Sequence, residues 1–165
     1  MRQVYFFFFL LTMGAAQLHG QELSIGQMPY RLGMSMQEAM AVTHDPIYLD
    51  PAETSATSMW LVREKHGANS TVIGTIFFRN GKAETLERDL KSFSSKDSVD
   101  VGKVLFDSLE RLKHDDPTVS IQTRNVSGEL KIITVGNGPR RLKIVVPSSA
   151  TAEMTISEVL TVAER

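Results

Sequence analysis

The residues best suited to chemistry lie at two similar corners, His44-Asp45-Pro46 and His114-Asp115-Asp116-Pro117. An imidazole beside a carboxylate can ligate zinc or another divalent ion, or serve as an acid and base pair. If the two corners packed face to face, His44, Asp45, His114 and Asp115 would converge on such a site. The same residues also have a structural account. A histidine in a last helical turn interacts favourably with the helix dipole, and an Asp before Pro opens a turn. The structural account is the stronger, so we assign no catalytic residue, no metal ligand and no cofactor.

Other catalytic signatures are missing. The chain has no Gly-x-Ser-x-Gly elbow, no His-Glu-x-x-His, no phosphate-binding glycine loop before a helix and no EF-hand run. Gly136-Asn137-Gly138-Pro139 is glycine-rich, but it falls between strands and its proline lacks the amide an anion nest would use. The chain contains no cysteine, which excludes disulfides, thiolate metal sites and a cysteine nucleophile. With 18 Lys and Arg against 19 Asp and Glu it has no basic excess, which argues against nucleic acid as a partner.

A binding surface is the better prospect. Strand alternation sets Gln122, Arg124, Lys131, Ile133, Arg141, Lys143 and Val145 opposite a core face of Ile121, Ile132, Leu142 and Ile144. The four cations Arg124, Lys131, Arg141 and Lys143 would form a docking stripe for an anionic partner, such as a phospholipid head group or an acidic protein. Phe77 and Phe78 point to opposite faces of their strand. An exposed Phe77 near Arg79 would add an apolar anchor. Trp60 is expected in the core.

Several elements must position these groups. Gln21 to Arg31 reads as an extended lead-in. Ser35 and Glu38 form a capping box that opens a short helix, which Asp45-Pro46 ends. Residues 50–58 are small and polar, a loop by composition. Strands are predicted at Met59–Lys65, Thr71–Arg79 and Lys82–Arg88, the last two joined by an Asn80-Gly81 hairpin turn. A second helix runs from about Ser98 to Lys113 on the stripe Val101, Val104, Leu105, Leu109 and Leu112. Four short β runs follow, around Val119–Thr123, Leu130–Val135, Leu142–Val146 and Met154–Ile156.

Gly33-Met34-Ser35-Met36-Gln37-Glu38-Ala39, followed by the Trp60 strand and the Gly74–Lys82 hairpin, resembles the BamE-like (SmpA/OmlA) envelope domain. There a similar helix start precedes a Trp-bearing antiparallel meander. The order of helix then meander recurs from about Val99, a tandem layout that resembles the β-lactamase-inhibitor protein fold. The resemblance implies an α+β fold of two helix-plus-antiparallel-meander units with helices packed on one face of the sheet. Residues 21–90 and 99–165 would be the units and 91–98 a linker. A single continuous sheet of six or seven strands with two helices on one face would fit the same pattern.

Residues 1–20 read as a signal peptide: Arg2, then an apolar run holding Phe6 to Phe9, then small residues before cleavage after Ala16 or Gly20. That run is shorter than the ~20 residues a spanning helix needs, and no later apolar run approaches that length. The expectation is a secreted or periplasmic, non-enzymatic module that binds a protein at the bacterial cell envelope. The alternatives are an enzyme inhibitor acting through hairpin loops such as Asn80-Gly81 and Gly136-Asn137-Gly138, and a small metal-dependent hydrolase using the His-Asp corners. The missing lipid-anchor cysteine departs from the envelope lipoproteins of the resembled family.

Overall fold

The structure is a computed structural model that describes residues 21–52, 58–93, 98–115, 119–126, 128, 130–136, 138–149 and 152–162. Residues 1–20, where a signal peptide is expected, and Asn137 lie outside the described residues, as do the side chains of residues 93, 98–102 and 114–115. The element order is β1 (Glu22–Ile25), β2 (Met28–Arg31), α1 (Met36–Val42), β3 (Ile47–Pro51), β4 (Ser58–His66), β5 (Asn69–Arg79), β6 (Lys82–Phe93), α2 (Ser98–Asp115), β7 (Ile121–Val126), β8 (Leu130–Val135), β9 (Arg140–Pro147) and β10 (Met154–Thr161).

This corrects the expected α+β class of two helix-plus-meander units. Among the described residues the protein is mostly β, with ten strands in antiparallel sheets and only two helices, which make up 15% of the chain. Three features tip the balance. The lead-in is a β-hairpin, strand β3 starts at Ile47 and takes in Asp50 and Pro51 of the supposed loop, and β4 to β6 run for 9, 11 and 12 residues. The supposed linker also loses residues 91–93 to β6.

Eight strands form one sheet in the order β3-β4-β5-β6-β10-β9-β8-β7, and β1-β2 is a separate two-stranded ribbon. The β6–β10 ladder joins the early strands to the late ones, with Arg88 opposite Glu158 and Leu86 opposite Leu160. Asn80 and Gly81 turn the β5–β6 hairpin with φ of 51° and 74°, the positive pair that a two-residue hairpin turn requires. Gly26 and Gln27 do the same for β1–β2, at 57° and 71°.

Among the described residues, only one face of the sheet is covered. Over its first half lie the β1–β2 ribbon and α1. Leu23, Ile25, Met28 and Tyr30 bury against Val62, Ile76, Phe78, Leu86 and Leu160. Trp60 packs at the margin of this cluster, half-buried. The capping box opens α1, with Ser35 N donating to Glu38 Oε2 at 2.6 Å and Glu38 N to Ser35 Oγ at 3.2 Å. The Ser35 N–H, and then the Ser35 hydroxyl at 2.8 Å, donate to the exposed Glu38 carboxyl and hold it below its ordinary pKa. The Thr43 hydroxyl donates to Ala39 O at 2.7 Å and meets Tyr30 Oη at 2.8 Å, fastening the helix end to the ribbon. Burial pushes the Tyr30 phenol up.

Over the second half of the same face lies α2. Leu112 packs with Val135, Leu142, Ile144 and Ile156, flanked by Val104, Leu105 and Leu90. Leu109, expected on the apolar stripe, turns partly outward beside Phe106, which is 64% exposed; Ser108 takes the buried side instead. Among the described residues, no helix is long and apolar enough to cross a membrane.

The ribbon approaches the sheet closely at Gly74. A Cβ there would sit 2.5 Å from Glu87 O and 2.7 Å from Ile25 Cγ2. Because the first neighbour is backbone, no rotamer change relieves the clash. Gly74→Ala is expected to cost about 1–3 kcal/mol of stability, the usual penalty of overpacking. A shift of the urea midpoint with an unchanged slope would show it.

Candidate functional site

The opposite face of the sheet is open: among the described residues, no helix or hairpin packs on it, and its side chains are mostly half-exposed. Pairing arranges its residues in rows. One row crosses from Leu61 through Thr75, Glu87 and Val159 to Arg141. The next, on one side, holds Met59, Phe77, Thr85 and Thr161. On the other side, Asp89, Ser157, Lys143, Thr134 and Gln122 align. Thr155, Val145, Ile132 and Arg124 form a further row. The face is thus apolar at the β4–β5 end, hydroxyl-rich in the middle and cationic toward β9 and β7.

Four of the five residues singled out from the sequence share this surface: Phe77, Arg124, Arg141 and Lys143. Lys131 does not. It pairs with Val146 and Asn125 on the helix-covered face, as Ile133 pairs with Ile144 and Val135 with Leu142. Ile132 takes the open face instead. Strand β8 carries Ile132, Ile133 and Val135, so apolar residues occur on both sides and alternation alone could not choose between them. At about 4.8 Å between strands, Phe77 lies roughly 14 Å across the sheet from the β9 cations.

The cations are held in part. Lys143 Nζ donates to Glu87 Oε1 at 2.7 Å and Oε2 at 2.9 Å, and Arg141 Nε donates to Gly138 O at 2.9 Å. Ser157 Oγ donates to Asp89 Oδ1 at 3.3 Å. Partial burial and then the nearby Glu87 carboxylate push the Asp89 carboxyl up. Phe77, with Met59 and Leu61 beside it, keeps an apolar surface half-exposed.

A second polar group lies on the covered face, in the gap between the ribbon and α2. Arg88 Nη2 and Arg140 Nη1 both donate to the Glu158 carboxylate, the latter at 2.8 Å. Arg88 Nη1 also reaches Ser24 O at 3.3 Å, and Arg140 Nη2 reaches Glu22 O at 2.9 Å. The cluster therefore ties β6, β9 and β10 to the backbone of β1. Sequence reasoning missed it, because Arg88 lies 70 residues from Glu158 in the chain and meets it only through the β6–β10 pairing. Beside it, Ser108, Leu112 and Leu142 help to line a cavity of about 10 Å³, far below the volume a substrate needs. Among the described residues, Ser108 Oγ at this cavity and Arg88 Nε in the cluster are buried without a hydrogen-bond partner.

The His-Asp corners take simpler roles where they are described. His44 is exposed, with Nδ1 3.3 Å from Asp45 O, and Asp45 meets Lys65 Nζ at 3.5 Å. The side chains of His114 and Asp115 lie outside the described residues. Among the described residues, no three His, Asp or Glu side chains stand close enough to hold a metal ion. No protein-family model, curated protein or solved structure matches the chain.

Two measurements probe these clusters. Glu158→Ala leaves two half-buried guanidiniums without their carboxylate, and should cost about 2 kcal/mol, between the values for exposed and buried ion pairs. Urea unfolding would read this. Asp89→Asn removes a carboxyl whose folded pKa is raised, so its ionisation opposes folding at neutral pH. The variant should unfold at higher urea than the parent near pH 7. The two should converge as pH falls below the ordinary carboxylate range.

Proposed function

We propose that the protein is a non-enzymatic, secreted or periplasmic module of the bacterial cell envelope that binds a protein partner through its open sheet face. One observation carries this reading: a broad face holding half-exposed Met59, Leu61 and Phe77 at one end and Arg141, Lys143 and Arg124 at the other. Aromatic and arginine side chains are the residue types that most often anchor protein interfaces. The partner that fits is a protein with an apolar patch flanked by acidic groups. The N-terminal pattern of residues 1–20 and the resemblance of the Gly33–Lys82 region to BamE-like domains support the compartment.

A second reading, inhibition of an enzyme through a hairpin loop, is favoured by the β5–β6 tip. Its turn is exposed, and the Arg79–Glu84 ion pair at 2.9 Å stands beside it. The two readings separate in one experiment. The full chain is immobilised and challenged with secreted and envelope fractions, and the partner it retains is then titrated against variants. Phe77→Ala and Arg141→Ala should each weaken binding about tenfold or more, as truncation of an interface anchor does, and Asn80→Ala should leave it unchanged. Loss with Asn80→Ala alone would favour the hairpin, and no retained partner would overturn both readings.

A further inference from the structure

We propose that β7 pairs with β7 of a second copy of this chain, forming a two-fold dimer whose sheet runs continuously across both copies. The proposal stands on the sheet edge and does not depend on the open face binding a partner.

The direction of the β7 backbone groups follows from one bond. Gly136 N donates to Ser120 O at 2.9 Å, in line with the register that sets Ile121 opposite Val135. Backbone groups alternate sides along an antiparallel strand. Those of Gln122, Arg124 and Val126 therefore turn toward β8, while those of Ile121, Thr123 and Asn125 point away from the sheet. The Ile121 side chain, at the same edge, is 70% exposed.

The far edge of the sheet is built differently. Lys65 N donates to Pro46 O and Ala52 N to Met59 O, so the outward residues of β3 are Ile47, Leu49 and Pro51. Pro51 has no N–H, and Ile47 N already donates to His44 O at 2.9 Å. Leu49 alone offers an outward donor. Strand β3 is closed to further pairing by means that edge strands commonly use, and β7 carries no proline at all.

Sequence and symmetry select the occupant. A two-fold axis normal to the sheet pairs residues of the same face. With Thr123 opposite the partner's Thr123, Ile121 faces the partner's Asn125 and Gln122 faces the partner's Arg124. Each outward residue then meets an outward residue, with two hydrogen bonds at each such pair. No like charges stand directly opposite. Moving the register two residues toward the C-terminus would set Arg124 against the partner's Arg124, which is repulsive. A second copy thus satisfies both edges with one patch, as an isologous contact requires. The axis also keeps the two open faces on the same side, so the dimer presents one surface of double width.

The test is sedimentation of the full chain from about 1 µM to about 1 mM, a range that covers weak interfaces of small area. The mass should double across the range, and Thr123→Pro, which deletes the outward N–H at the two-fold axis, should remain monomeric throughout. In parallel, amide exchange of Ile121, Thr123 and Asn125 in the unaltered chain should slow as concentration rises, while Leu49 stays constant. This measurement decides the matter if Thr123→Pro does not fold. A parent chain that stays monomeric, a Thr123→Pro variant that dimerises like the parent, or edge amides indifferent to concentration would each overturn the proposal.

Discussion

The pairing of β6 with β10 is the constraint on which the rest of the molecule depends. It joins residues about seventy apart in sequence and converts two meanders into one eight-stranded sheet. Near one end of it Leu86 and Leu160 are fully buried opposite one another, and the next pair along the same face, toward the middle of the ladder, is Arg88 and Glu158. Both clusters of the covered face take residues from these two strands. Leu86 and Leu160 belong to the ribbon side, and Ile156 and Leu90 to the α2 side. Losing this ladder would leave each half with a bare edge and a core cut in two.

The covered face shows how polar groups can be kept inside such a sheet. Between the two apolar clusters, Glu158, 12% exposed, accepts from Arg88 and Arg140. The remaining guanidinium groups reach backbone carbonyls of β1. A charge removed from water is tolerable when its partners are present and its hydrogen bonds are made, and it then specifies position more than it adds stability. Here it fixes where the ribbon lies over the sheet. The open face spreads its charges differently. Lys143 and Glu87 neutralise each other, while Arg124 and Arg141 keep cationic character beside a half-exposed apolar end.

Local chemistry was legible wherever neighbouring residues decide the outcome. The Ser35–Glu38 cap and the Asn80-Gly81 turn appear as expected, and Val104, Leu105 and Leu112 of the α2 stripe pack as expected while Leu109 turns outward, because each depends mainly on a few residues close in sequence. The β1–β2 ribbon had a readable signal that a lead-in reading passed over. Leu23 and Ile25, then Met28 and Tyr30, alternate on either side of a two-residue Gly26-Gln27 turn. The β class is not legible in the sequence because strand β3 and the lengthened β4 to β6 gain their hydrogen bonds from one another and, for β6, from the distant β10. The amphipathic helices stand out in sequence more than they do in the fold.

From the sequence alone came much of the strand-forming alternation, the Asn80-Gly81 turn, the cap of α1 and five surface residues, four of which lie on the candidate face. The tertiary structure decided which strands are neighbours and which side of each is buried. The physical reason is that a period of two marks two faces without naming the inner one. In β8, where Ile132 and Ile133 are equally apolar, pairing with β9 beneath α2 turns Ile133 and Lys131 to the covered face and Ile132 to the open one. The Arg88–Glu158–Arg140 cluster likewise exists only through register, since no local pattern brings β6 beside the distant β9–β10 pair.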